Sequence, residues 1–298
     1  MMQFSPFAGG LAESQTLAIT ATAKRMKAQG IDVAPFAAGE PDFDTPEFVK
    51  EAGLQAIRDG RTKYGPAAGL ADLRGAVAEN LAATGFEGMT ADRTVICAGA
   101  KPVLFFALAV LLEPGDEVLV PTPCWLSYPK MVQAAAGTCV YVETRPDQGY
   151  VIDPDALRAA ITPRTKALIL NSPGNPTGAV QPDDVQLEIG KIAAEHGIAV
   201  ISDEIYEHMT YAPARFRSFA DLAPDARDLT LIVNGVSKAY AMTGWRIGWG
   251  VGPTACSLRM NRLRGPPFGA PPACTRVAGR GARRGPRVRS GGWWGGDR

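Results

Sequence analysis

Two short apolar runs flank a helix-like stretch in residues 166–204, which read KALILNSPGNPTGAVQPDDVQLEIGKIAAEHGIAVISDE. The runs at 166–173 and 198–204 are strand-like, and residues 181–196 between them have the pattern of a helix. Neither run alternates apolar with polar residues, which is typical of strands that helices cover on both faces. The segment therefore predicts a βαβ unit with two parallel strands.

The same alternation of strands and helices extends through most of the chain. Further strands are predicted at 94–100, 116–121, 138–143, 229–237 and 245–252. Further helices are predicted at 13–30, 47–59, 70–84, 101–112 and 154–161, and from about residue 127. This order of elements predicts an α/β fold with a mostly parallel seven-stranded sheet flanked by helices.

The composition limits the classes of function. The chain is 46% hydrophobic and 20% charged, as in soluble globular proteins, and no apolar run is long enough to span a membrane. The N-terminus lacks the basic start and apolar core of a secretory signal. Five widely spaced cysteines, without a C-x-x-C motif, argue against a disulfide framework and a zinc site. We therefore expect a cytoplasmic protein without a membrane partner or a bound metal.

The last part of the chain differs from the rest in charge. Residues 255–298 contain ten arginines and one acidic residue, whereas residues 1–254 contain 21 basic and 29 acidic residues. From residue 258 onward Gly, Pro and Arg dominate and no apolar period is visible, so we predict a disordered tail. The alternative is that residues 276–290 attract nucleic-acid phosphates, which the composition favours less.

Ligands of parallel α/β sheets bind beyond the carboxyl ends of the strands, so the residues that follow each strand are candidates for a site. Gly99, Ala100 and Lys101 follow the first strand and begin a helix, where free N–H groups attract anions. Asn175 lies in the rigid loop NSPGNPTG, residues 171–178. Each feature has an ordinary structural explanation, a turn in both cases, and only their combination points to a site.

The later strands are followed by charged residues. Asp203 ends a buried strand, where an acid is costly without a partner, and Tyr206 lies three residues on. Ser237 and Lys238 follow the next strand; a desolvated lysine amine forms Schiff bases with carbonyls. Arg246, within the strand predicted at 245–252, has a planar guanidinium that suits a phosphate. Together these residues indicate a pyridoxal phosphate site, because they comprise an anion site, an amide, an acid, a tyrosine, an amine and a guanidinium.

Six stretches of the chain carry a resemblance to a known family. They are AAGEPDFDTP, KYGPAAG, PTPCWLSYP, NSPGNPTGAV, SDEIYEH and NGVSKAYAMTGWRIGW, and they lie in order within roughly residues 10–257. On these motifs the sequence resembles the class I/II, fold type I, aminotransferases, most of all the aspartate/prephenate aminotransferase branch. One minor difference is Gly235, where some relatives have a phosphate-binding serine.

The resemblance implies roles around a pyridoxal phosphate cofactor. Lys238 corresponds to the lysine that forms the Schiff base and moves a proton, and Asp203 to the acid that pairs with the pyridinium nitrogen. Asn175 and Tyr206 correspond to donors to the ring hydroxyl. The remaining implied cofactor contacts are phosphate contacts from Arg246, Gly99, Ala100, Lys101 and Ser237, and stacking by Trp125.

Further implications concern the substrate and a partner subunit. Tyr64 corresponds to a tyrosine that reaches the phosphate bound by the partner subunit, which implies a homodimer. Gly39 lies in a loop that closes over the substrate, and Trp125 and Asn175 also correspond to substrate contacts. Lys101 corresponds to a position that contacts a distal carboxylate, which favours aspartate or another dicarboxylic amino acid.

The implied reaction is transfer of an amino group from an L-amino acid to a 2-oxo acid by a ping-pong route. The alternatives are a β-lyase on the same scaffold and an inactive homologue.

The resemblance also implies three regions: an N-terminal arm with part of a small domain at 1–45, a cofactor-binding large domain at 46–257, and an aberrant tail at 258–298. The family chain continues with a segment that supplies an arginine for the substrate α-carboxylate, and we find no counterpart. We therefore expect weakened transamination and an out-of-frame origin of the tail.

Overall fold

The computed structural model describes residues 15–34, 39–82 and 88–268. The chain divides into two compact units, Met1–Phe43 and Asp44–Arg298. In the first unit, helix α1 spans Gln15–Ala28. The second unit contains the sheet and the helices that flank it, and the region boundaries predicted at 45/46 and 257/258 stay predictions.

The second unit alternates helices and strands as the sequence predicts. The helices are α2 (Glu47–Arg58), α3 (Ala71–Ala82), α4 (Ala100–Leu111), α5 (Ser127–Ala134), α6 (Pro154–Ala159), α7 (Asp183–His196), α8 (Phe219–Leu222) and α9 (Thr254–Phe268). The strands are β1 (Thr94–Cys97), β2 (Glu117–Thr122), β3 (Thr138–Glu143), β4 (Thr165–Asn171), β5 (Ala199–Asp203), β6 (Thr230–Gly235) and β7 (Gly248–Val251). Short 3-10 helices lie at Ala91–Arg93, Pro146–Gln148, Pro224–Leu229 and Thr243–Trp245.

The seven strands form one sheet in the order β1-β7-β6-β5-β4-β2-β3. Strand β7 is antiparallel to both β1 and β6, and the other neighbouring pairs are parallel. Strands β1 to β6 therefore end at the same edge of the sheet, and β7 begins there. This arrangement confirms the predicted mostly parallel seven-stranded α/β fold.

Helices cover both faces of the sheet. Successive residues of β4 belong to opposite cores: Ile169 packs with Leu104 of α4, and Leu168 packs with Ile189 of α7. Because both faces of each central strand are buried, the strands are continuous apolar runs rather than alternating ones.

Two predictions about the C-terminal third were wrong. Arg246 does not lie in a strand: β7 begins at Gly248, where the chain pairs with both neighbouring strands, and Arg246 has a left-handed φ of 56°. Residues 258–268 are helical, although no element was expected from residue 258 onward. The reason is that α9 buries Met260 and Arg264, four residues apart, on one face. Residues 269–298 lie outside the described residues.

Among the described residues, no helix combines the length and the apolar character that crossing a membrane requires. In the same part of the chain, no group of three or more His, Cys, Asp or Glu side chains is arranged to hold a metal ion.

Candidate active site

The predicted site residues of the second unit, apart from Tyr64, lie in segments that meet at one edge of the sheet. Strands β1, β4, β5 and β6 end at this edge, and β7 begins there. The antiparallel direction of β7 brings the residues that precede it to the same edge as those that follow the parallel strands. This is why Arg246, far from β1 in sequence, lies beside the β1–α4 turn.

The β1–α4 turn and Arg246 form a basic corner. Gly99 precedes α4 with φ of 97°, and Arg246 donates from Nη2 to the carbonyl oxygen of Ala98 across 3.1 Å and from Nη1 to that of Thr243 across 2.8 Å. A Cβ atom on Gly99 would overlap the guanidinium of Arg246. The first N–H groups of a helix have no acceptor within it, so this corner offers them together with a cation to an anion.

Asp203, the last residue of β5, is a buried acid that is 3% exposed. The hydroxyl of Tyr128 donates to its Oδ2 across 2.7 Å, and the N–H of Ile205 donates to Oδ1 across 3.3 Å. Burial raises the pKa of Asp203 to about 6, and the hydrogen bond from Tyr128 opposes this rise. A buried acid of this kind, with two donors from the described residues, is suited to pairing with a cationic N–H group of a ligand.

Asn175 and Tyr206 connect the loops that follow β4 and β5. Nδ2 of Asn175 donates to the hydroxyl oxygen of Tyr206 across 3.0 Å, which leaves the Tyr206 proton available to another acceptor. Asn171 accepts from the N–H of Asn175 across 2.8 Å and donates to the carbonyl oxygen of Asp203 across 2.9 Å. Burial raises the pKa of Tyr206, so its hydroxyl is protonated at neutral pH. Two donors therefore point from adjacent loops toward one region.

Lys238 lies in the turn that follows β6, beside the buried Ser237. Its Nζ lies 5.9 Å from the centroid of the Tyr206 ring. The half-buried amine is thus placed next to the Asn175–Tyr206 pair, on the edge where Asp203 ends β5.

Trp125 and Lys101 form a further pair at the site. Nζ of Lys101 lies 4.7 Å from the centroid of the Trp125 ring, and Trp125 meets the ring of Tyr128 edge to face at 5.4 Å. Burial and then the positive charges of Arg246 and Lys130 lower the pKa of Lys101. A chain of contacts therefore connects Lys101 through Trp125 and Tyr128 to Asp203.

A protein-family model described as aminotransferase class I and II matches residues 31–284 of the chain. The chain belongs to this family. The match extends past residue 257, where the resemblance was expected to end, and past α9.

Individual relatives agree with this membership. The aspartate/prephenate aminotransferase of Thermus thermophilus is 50% identical over 240 residues, which are 80% of this chain and 61% of that protein. The aspartate aminotransferase of Geobacillus stearothermophilus is 41% identical over 286 residues, 96% of this chain and 73% of that protein. The solved structure of Thermus thermophilus aspartate aminotransferase with maleate superposes with a TM-score of 0.91 at 44% identity, covering 95% of this chain and 73% of that one. The chain thus spans about three fifths of the length of the Thermus protein.

One difference from some aminotransferases has a local explanation. A Cβ atom on Gly235, the last residue of β6, would lie 2.8 Å from the carbonyl oxygen of Ile247 and 3.2 Å from Cα of Gly248. A serine at this position would force β6 away from the start of β7. The close approach of these strands, which sets Arg246 at the edge, therefore requires glycine here.

Class I and II aminotransferases depend on pyridoxal phosphate, and the residues of this chain fit that group. Glycine at position 99 lets the guanidinium of Arg246 lie against the β1–α4 turn, where a Cβ atom would overlap it, and this corner contains the donors that a phosphate needs. Asp203 is a buried acid available to the ring nitrogen. Asn175 and Tyr206 are donors, and Lys238 places an amine beside the Tyr206 ring, which suits a Schiff base with an aldehyde.

For two predicted site residues, the structure shows no position at this edge of the sheet. Tyr64 is fully exposed in the loop between α2 and α3, and Gly39 lies in the first unit. Their roles stay predictions.

Tyr128 and Glu204, in contrast, were not identified as site residues from the sequence. Tyr128 lies in the quoted motif PTPCWLSYP, three residues after Trp125. Residues three apart at the start of a helix lie on the same side, so this spacing could have identified Tyr128 as a neighbour of Trp125.

Proposed function

We propose that this chain binds pyridoxal phosphate and transfers an amino group from an L-amino acid to a 2-oxo acid. The observation that carries the proposal is the buried carboxyl of Asp203 on the same sheet edge as the Lys238 amine, with the Asn175–Tyr206 pair at the same edge. When bound, the cofactor supplies an electron-withdrawing ring that stabilises negative charge at the substrate α-carbon.

The protein's part in this reaction is to hold the ring and to move protons. Asp203 accepts the N–H of the ring and keeps that nitrogen protonated, and Tyr128 keeps the carboxyl oriented. Asn175 and Tyr206 donate to the ring hydroxyl. Lys238 would hold the cofactor through its amine and, once the substrate amino group has displaced that amine, the freed amine would move the proton at the substrate α-carbon.

The basic corner holds the cofactor phosphate. Arg246 supplies the planar cation, and Ala100 and Lys101 supply N–H groups at the start of α4, where the helix dipole also favours negative charge. Gly99 lets the guanidinium of Arg246 lie against this turn, and the hydroxyl of Ser237 is a further donor. Trp125 stacks on the ring.

The substrate we infer is a dicarboxylic amino acid such as aspartate. Its distal carboxylate would meet Lys101, which already faces the positive charges of Arg246 and Lys130. Burial and then the repulsion from these two cations lower the pKa of Lys101, and an added negative charge there would offset the repulsion. Trp125 and Asn175 are the other substrate contacts proposed within this unit. The named activities of the relatives, aspartate and prephenate aminotransferase, point to the same substrate class.

We also infer a cytoplasmic homodimer in which Tyr64 of one protomer completes the phosphate site of its partner. The support is the full exposure of Tyr64, together with the exposed apolar side chains of Leu54 and Ile57 on the preceding helix α2.

The proposal is tested with purified protein, pyridoxal phosphate, 2-oxoglutarate as acceptor, and either aspartate or alanine as donor. We expect amino transfer from aspartate faster than from alanine, and none with the Lys238→Ala variant. Oxo-acid release that does not need the acceptor would indicate a lyase instead. Equal rates for the wild type and Lys238→Ala would overturn the proposed function.

A further inference from the structure

Glu204 is a second buried acid at the end of β5, directly after Asp203, and it is 2% exposed. Its Oε1 accepts hydrogen bonds from the hydroxyl of Ser202 at 3.0 Å, the hydroxyl of Ser218 at 2.9 Å and the N–H of Phe219 at 3.0 Å. Its own N–H donates to the carbonyl oxygen of Val233 in β6 across 2.9 Å. One residue therefore connects β5, β6 and the start of α8.

These contacts close a loop. Residues 205–217 leave β5 and return at α8 without forming a helix or strand of their own. The two ends of this segment, which we call the 205–217 loop, meet at the Glu204 carboxyl. Inside the loop, the N–H of Met209 donates to the carbonyl oxygen of Tyr206 across 2.8 Å. Tyr206 is thus the second residue of a loop whose base is fixed by Glu204.

The donors around Glu204 require a polar acceptor. Ser202, Ser218 and Phe219 are buried, and a buried donor without an acceptor costs about 1–3 kcal/mol. If Glu204 were apolar, the loop would open to hydrate these groups. Tyr206 would then move with the loop, because only one residue separates it from Glu204.

We propose that Glu204 is a positioning residue: it closes the 205–217 loop and thereby holds the Tyr206 hydroxyl against Asn175, at the 3.0 Å seen here. This inference rests on the proposed function for its link to the cofactor, but the closed loop itself does not. Glu204 touches neither cofactor nor substrate in this account. Its effect passes through Tyr206.

The first arm of the test measures amide hydrogen exchange in the cofactor-free protein. Glu204→Leu should accelerate exchange across the 205–217 loop by about tenfold, and Glu204→Gln, which keeps an acceptor oxygen, should accelerate it less. Glu117→Gln is the matched control, since Glu117 is also buried and accepts from Thr162 and Arg164 at the opposite end of the sheet. Unchanged exchange in both Glu204 variants, or an equal change in Glu117→Gln, would overturn the proposal.

The second arm is a double-mutant cycle on the dissociation constant for pyridoxal phosphate. Glu204→Leu should weaken binding by about tenfold in the wild-type background and hardly at all in a Tyr206→Phe background. Fully additive losses would contradict a role through Tyr206. Glu204→Gln replaces Glu204→Leu if the latter does not fold. If the wild type binds no cofactor, the proposed function fails, and the exchange comparison alone decides whether Glu204 closes the loop.

Discussion

The hydroxyl of Tyr128 lies 2.7 Å from Oδ2 of Asp203, and both side chains are almost completely buried. Tyr128 comes from the start of α5 and Asp203 from the end of β5, so the contact joins two layers of the fold at the edge where the site lies. The bond stabilises the charged form of the carboxyl, and burial destabilises it. Tyr128 therefore sets how readily Asp203 carries the charge that a cationic ring nitrogen requires.

Removing this hydroxyl should weaken cofactor binding. In Tyr128→Phe the carboxyl loses its donor, so the pKa of Asp203 rises and the charged form becomes rarer. A hydrogen bond to a charged group contributes about 1.5–3 kcal/mol, which corresponds to a loss of at least about tenfold in affinity. Fluorescence or absorbance titration with pyridoxal phosphate at pH 7 measures the dissociation constant of the cofactor for each protein. Tyr141→Phe, on the exposed tyrosine of β3, is the control and should leave the affinity unchanged.

Cofactor binding should depend on pH through Asp203. Burial raises the pKa of this acid to about 6 from 3.8, so the folded protein keeps the proton in a range where the unfolded chain has lost it. Its contribution to stability accordingly falls as the pH rises from about 4 to about 6. Cofactor affinity changes in the opposite sense, because only the ionised carboxyl pairs with a cation.

The measurement is the ratio of cofactor affinities for wild type and Asp203→Asn between pH 5 and 8. Taking the ratio cancels the titration of the free cofactor, which is common to both proteins. We expect the ratio to be largest above pH 7 and to decrease about tenfold per unit well below the Asp203 pKa. A ratio that stays constant over this range would show that Asp203 does not pair with the bound group.

A third prediction concerns the close contact between Gly99 and Arg246. Gly99→Ala combines an unfavourable φ with overlap between the new methyl group and the guanidinium, so we expect a loss of about 1–3 kcal/mol of stability and weaker cofactor binding. Gly115→Ala is the control, because Gly115 has φ of 96° and open space around it. Thermal unfolding should be affected in both variants, and cofactor affinity only in Gly99→Ala. Equal affinities in the two variants would contradict the basic corner as the phosphate site.

The sheet was predictable because burial on both faces makes each strand a continuous apolar run, as in β4 and β5. The site was predictable where it depends on residues at the carboxyl ends of strands, such as Asp203. Arg246 was assigned to a strand wrongly, because pattern alone does not show that β7 needs Gly248 to pair with both neighbours. A glycine that permits close approach of backbones has no periodicity to reveal it.

Other features depended on distant contacts that no local pattern contains. Tyr128 looks like an ordinary helix residue until the fold brings it to Asp203, 75 positions away in sequence. Glu204 was not identified from the sequence, since its donors at Ser218 and Phe219 come from the far end of a loop. The continuation of α9 was hidden by the Arg- and Pro-rich composition, because a buried arginine occupies one of its inward positions.

That buried arginine gives a fourth prediction. Arg264 is 1% exposed, its Nη1 lies 3.6 Å from Sγ of Cys97, and its Nε has no hydrogen-bond partner within the described parts of the chain. Replacing a poorly compensated buried charge with an apolar side chain of similar length stabilises proteins by roughly 1–4 kcal/mol. Arg264→Met should therefore raise the melting temperature, and Arg259→Met, on the exposed face of the same helix, should not. A lower melting temperature for Arg264→Met would show that the charge is compensated.

The central claim is that Lys238 holds the cofactor, and chemical trapping tests it most directly. The protein is mixed with pyridoxal phosphate, reduced with borohydride, digested and examined by mass spectrometry. We predict one phosphopyridoxyl group per chain, on the peptide that contains Lys238, together with a visible absorbance band before reduction that Lys238→Ala lacks. Label spread over surface lysines, or equal labelling of Lys238→Ala, would contradict the account.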